Sequence, residues 1–169
     1  YLVSDSNLLI ASSSTSIIKY SPKHQGALSV IKEILNSSDH EKLIVLLGFL
    51  KELGLLITDD NFFHYFQKGT TEIKIECLEI LEKSPRISLV SDIIKCLSDP
   101  LTFSKAEKAL FKIKKEHILN EFNLLLSIDN LNEELNFGIL KTLYNYDHIK
   151  AMELNINALD NSVLSFVNK

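Results

Sequence analysis

Four short words of similar pattern punctuate the chain: LLGFL at 46–50, CLEIL at 77–81, ALFKI at 109–113 and ILKTL at 139–143. Their starts lie 31, 32 and 30 residues apart. Each reads as the core-facing stripe of an amphipathic helix, because apolar residues three and four positions apart share one face of a 3.6-residue turn. The same period continues between the words. ALSVIKEIL (27–35) puts Leu28, Ile31, Ile34 and Leu35 on one stripe, and helices are predicted over 37–53, 58–69, 70–84, 86–97, 103–115, 116–128, 130–146 and 148–159. A short closing helix is expected in 161–169.

Polar caps and breakers support these boundaries. Ser37, Ser38 and Asp39 open one helix and Gly54 closes it, while Gly69 and Pro85 end the next two. The stretch 98–100, SDP, reads as a break. Sustained alternation and Asn-Gly or Asp-Gly hairpin turns, the usual strand signals, do not occur. Residues 1–23 are Ser-rich and interrupted by Pro22, so they are expected to be an irregular lead-in or degraded half-repeat with one short helix near 15–20. The repeating domain is placed at 24–169.

A helix-turn-helix unit of about 31 residues cannot bury its apolar stripe alone and must stack on its neighbours. The expected fold is all-α, an α-α superhelix or solenoid of about four to five helical hairpins. The alternative is a nonrepetitive bundle of evenly sized helices. A second register favours the stack. At matching offsets in the second helices stand Ser29/Glu33, Asp60/His64, Ser91/Lys95, Asn123/Ser127 and Glu153/Asn157, every pair polar and spaced i, i+4 on one helix face. Stacking would align them as a ladder along one solvent-facing wall.

The apolar pairs Leu47-x-x-Leu50, Leu78-x-x-Leu81, Leu110-x-x-Ile113 and Leu140-x-x-Leu143, with Asp39 before and Leu53-Gly54 after the second predicted helix, resemble the HEAT and armadillo family of helical repeats, in its bacterial short-repeat form. The resemblance covers roughly residues 24–160. It implies a concave inner wall as the binding face, and so a non-catalytic interaction or scaffold module that holds a protein partner or another domain of its parent chain. Two other readings stay open: a helical-repeat enzyme of the DNA glycosylase or chromophore lyase kind, and a soluble regulatory domain of a membrane protein.

Candidate chemistry adds little to this. His24, His40, His64, His117 and His148 are scattered without a His-x-x-x-His pair, so no metal is expected, and His64 beside Asp60 is the one pairing of interest. Cys77 and Cys96 would face each other across a hairpin turning at 84–86, as reduced, packed thiols. Asp59-Asp60 and Glu133-Glu134 fall in first helical turns, where the dipole favours negative charge. Glu72, Glu76 and Glu79, with Lys74 and Lys83, are expected to form a solvated outer stripe. No phosphate-cradling glycine loop or Gly-x-Ser-x-Gly elbow is present, and no cofactor or small-molecule substrate is implied.

Net charge is −4 over 169 residues, which argues against a nonspecific grip on nucleic acid. The cluster Lys105, Lys108, Lys112, Lys114 and Lys115 is interleaved with Glu107 and Glu116, and the chain has no Trp for base stacking. The most apolar run, 43–57, carries Lys51 and Glu52 at its centre and falls short of the ~20 residues needed to cross a bilayer. Direct membrane insertion is therefore not expected. The N-terminal stretch lacks the basic leader of a signal peptide. A start at Tyr1 suggests a domain of a longer chain, with a cytoplasmic location expected.

Overall fold

The protein is described by a computed structural model for residues 5–53, 57–128 and 131–146. It is all-helical, with nine α-helices among the described residues. They are α1 (Asp5–Tyr20), α2 (Gln25–Leu35), α3 (His40–Leu50), α4 (Asp59–Lys68), α5 (Thr71–Lys83), α6 (Val90–Lys95), α7 (Pro100–Leu110), α8 (Lys115–Leu126) and α9 (Glu133–Tyr146). The predicted helix at 148–159 and the closing one at 161–169 lie outside the described residues.

Most helix starts are written in the sequence. The side chains of His24, Asp39, Thr58 and Thr70 each accept from the backbone N–H three residues on, satisfying donors that the first turn leaves free. Asp99 accepts from the Leu101 N–H, and Pro100 opens α7 at a position where a missing N–H costs nothing. The stretch 98–100 is thus a start as well as a break. Asp99 must be extended ahead of the proline, so α6 is cut to six residues and finishes in a 3₁₀ turn, Cys96–Ser98.

The four words share one burial register. Positions one, two and five of the first three are buried: Leu46, Leu47 and Leu50, then Cys77, Leu78 and Leu81, then Ala109, Leu110 and Ile113. In the fourth, Ile139 and Leu143 are buried while Leu140 is half-buried. The third word also outruns its helix, since α7 ends at Leu110.

Contacts follow chain order with a step of two. α1 packs on α3, α3 on α5 and α5 on α7, while α4 packs on α6 and α6 on α8. Each odd-numbered helix from α3 to α7 also touches the even helix just before it. Polar bonds cross at similar intervals. Tyr65 Oη donates to the Leu35 carbonyl at 2.5 Å, 30 residues back, and Tyr146 Oη to the Ile113 carbonyl at 3.2 Å, 33 residues back. Helix α9 instead leans mainly on the turn Cys96–Ser98. Gly138 permits this, because a Cβ there would overlap the backbone carbonyl of Leu97.

The lead-in departs from expectation. Residues 5–20 form a 16-residue helix rather than irregular chain. Ala11, Ser14, Thr15 and Ile18 make a buried stripe against α2 and α3, and Thr15 Oγ1 donates back to the Ala11 carbonyl at 2.8 Å. Serine and threonine lower helix propensity by competing for the backbone. Here they are small enough for close packing, and their hydroxyls find partners inside the helix. The other side of α1 exposes Leu8, Leu9, Ile10, Ile17 and Tyr20.

Candidate functional site

The short segment 95–100 borders an indented surface between α7 and α9. Ser98 Oγ donates to the Lys95 carbonyl at 2.8 Å, and buried Thr102 Oγ1 donates to the Cys96 carbonyl at 2.6 Å, tying the turn to α7. Ser98 stands at the point where three depressions meet, and Lys95 borders two of them. The first, about 450 Å³, lies between the start of α7 and the first half of α9, with Leu97, Pro100 and Phe103 on one side and Glu133, Glu134 and Phe137 on the other. The second, about 480 Å³, runs from Lys95 to Asn132, Glu134 and Leu135. The third, about 180 Å³, is narrower and reaches Phe66, Lys74, Asp92, Cys96 and Thr102.

Apolar surface is left open along this groove. Phe137 is 68% exposed. Lys141 Nζ sits 4.4 Å from the centre of the Phe103 ring, a cation–π contact that covers one ring face. Lys95 is paired with the nearly buried Asp92 at 3.0 Å. Among the described residues no ion pair reaches Glu133 or Glu134, which outnumber the cationic Lys141 on the lining. Burial pushes the Cys96 thiol up to about 12, so the reactive thiolate is disfavoured beside the groove.

Eight of the ten ladder residues are described. Ser29 and Glu33 on α2, Asp60 and His64 on α4, Lys95 on α6, Asn123 on α8 and Ser127 at its end are exposed, and Ser91 on α6 is half-exposed. Of these, Lys95 borders the groove. Glu33 lines a separate depression of about 360 Å³ with Ile10, Val30 and Lys42. Ser127 Oγ bonds its own helix through the Leu124 carbonyl, and no hydrogen bond joins Asp60 to His64. Glu153 and Asn157 lie outside the described residues.

No protein-family model, curated protein or solved structure matches the chain.

Two polar clusters that the sequence does not announce tie successive units together. Glu79 on α5 bonds Lys51 at the end of α3, at 2.5 Å, and Lys105 on α7, while Lys51 also lies 2.7 Å from Glu76. The expected solvated stripe of Glu72, Glu76 and Glu79 is therefore corrected: two of its three carboxylates are consumed by lysines of neighbouring helices. Their partners stand 26 and 28 residues from Glu79, beyond any helix-face rule. Likewise Asp59, expected simply to favour a helix start, accepts from Ser88 Oγ at 2.5 Å and from Arg86. Arg86 also donates to the Ile57 carbonyl at 2.7 Å and lies 5.0 Å over the Phe62 ring. Cys77 and Cys96 are free and buried, in keeping with packed thiols.

Proposed function

We propose that the protein is a non-catalytic interaction module of HEAT-like character, a stack of helical hairpins that holds a protein segment or a neighbouring domain of its parent chain. The order of helix contacts supports the stack, as do cross-unit bonds at intervals near one repeat. The observation that carries the binding reading is the groove at Lys95 and Ser98. There a preformed indentation combines a rigid floor with a two-thirds-exposed Phe137, and exposed aromatics in grooves are what interfaces use as anchors. The ladder reading puts Lys95 on the binding wall, and its place beside two of the depressions supports that reading. No helix of the described residues is long and apolar enough to cross a membrane, which fits a module working in the aqueous phase of the cytoplasm.

The test is comparative affinity capture on the immobilised chain. Phe137→Ser should release bound proteins while leaving the thermal midpoint within a few degrees, because the side chain is largely exposed. Ser29→Arg, remote on α2, should retain them. An identical set of bound proteins on all three chains would defeat the reading.

A further inference from the structure

We infer that the cleft between α7 and α9 takes a partner segment carrying a large apolar side chain flanked by lysine or arginine. This rests on the interaction reading above and assigns the chemistry of its occupant. The cleft supplies an apolar seat from Leu97, Phe103 and Phe137, and its volume of about 450 Å³ falls in the ~300–1,000 Å³ range of sites that enclose organic groups.

The charges on the page decide the sign of the flanking residues. Two carboxylates, Glu133 and Glu134, and one ammonium, Lys141 over the Phe103 ring, line the cleft, so its lining is negative on balance. Asp99 spends its carboxylate on the Leu101 N–H. Glu133 and Glu134 stand on the rim, in the first turn of α9. An acidic segment, or a phosphate backbone, would bring anions against a lining that is negative on balance. A basic one would meet opposite charge there without losing the apolar contact.

The experiment uses the whole chain and two fluorescently labelled, capped peptide pools of equal length and apolar content. One alternates leucine and phenylalanine with lysine, the other with glutamate. Anisotropy titration should favour the lysine pool by about tenfold, or ~1.4 kcal/mol, and added salt should erode that preference. Glu133→Gln with Glu134→Gln should remove the preference, and Phe137→Ala should weaken binding of the lysine pool. Equal or tighter binding of the glutamate pool, still dependent on Phe137, overturns the basic occupant and leaves the interaction reading standing. Binding of both pools that ignores Phe137, or of neither, overturns the cleft as a site and the interaction reading of this groove with it.

Discussion

Arg86 reaches back 27 residues to bond the Asp59 carboxylate, joining the loop after α5 to the first turn of α4. The pair does more than neutralise charge. The same guanidinium satisfies the Ile57 carbonyl and covers one face of the buried Phe62 ring, so a loop, a helix start and a core aromatic are fixed by one side chain.

Truncating that side chain should therefore cost more than an exposed ion pair. Arg86→Ala is expected to lower stability by about 1–3 kcal/mol, the range for losing charge-assisted bonds and a cation–π contact at a partly exposed position. Arg86→Lys should recover only a fraction, since an ammonium cannot fork between the carboxylate and the carbonyl. Urea unfolding at neutral pH measures both. Equal stability of all three chains would show the joint to be ornamental.

Acid should weaken the molecule through the same bonds. The Asp59 carboxyl is held below its ordinary 3.8 by the Ser88 hydroxyl and then by Arg86, and Glu79 is held below 4.5 by Lys105 and then Lys51. A carboxylate whose folded pKa is depressed lends stability that is fully present above its unfolded pKa and lost as pH falls through the folded one. Stability should hold steady down to about pH 5 and fall below it. Asp59→Asn with Glu79→Gln should be less stable at neutral pH and show a shallower decline in acid. A parallel decline in both chains would assign the acid sensitivity elsewhere.

Two glycines should respond in opposite directions to the same methyl group. Gly48 lies inside α3 with nothing near its missing Cβ, so Gly48→Ala should raise stability by roughly 0.5–1 kcal/mol through the unfolded chain's lost freedom. At Gly138 the methyl would meet the Leu97 backbone, which cannot rotate away. Gly138→Ala should cost about 1–3 kcal/mol by prying α9 from the turn, and it should also reshape the groove. Thermal unfolding of the two variants gives the comparison directly.

How far these features could be read from the chain depends on how local they are. Caps at Asp39, Thr58 and Thr70, and the burial of the four words, follow from residues within one helical turn, and the pattern finds them. Helix α1 was hidden because serine composition resembles a loop, while its buried stripe of small residues gives a weak apolar signal. The break at Asp99-Pro100 is visible as a break, but its shortening of α6 and the resulting turn emerge only with Thr102 folded against Cys96. Lys95 could be placed on an open wall from its i, i+4 partner. Phe137 could not, since an aromatic inside a helical apolar pattern looks like core until its neighbours are in place. Glu79 and Arg86 escape for a related reason: their partners lie about one repeat away, where sequence offers many charges and no rule for choosing among them.

The two thiols give a last test of the packing between α5 and the turn after α6. Burial raises the Cys96 thiol to about 12 and drives Cys77 well above its ordinary 9.0. A thiol reacts as the thiolate, and access multiplies the effect. At pH 8 the native chain should take up iodoacetamide far more slowly than a free cysteine, and denaturant should expose both sites at the same midpoint as loss of helix. Mass spectrometry of quenched samples counts the adducts. Rapid labelling of Cys96 alone in the native state would mean that the turn under the groove opens without global unfolding, and the groove could then no longer be treated as a preformed surface.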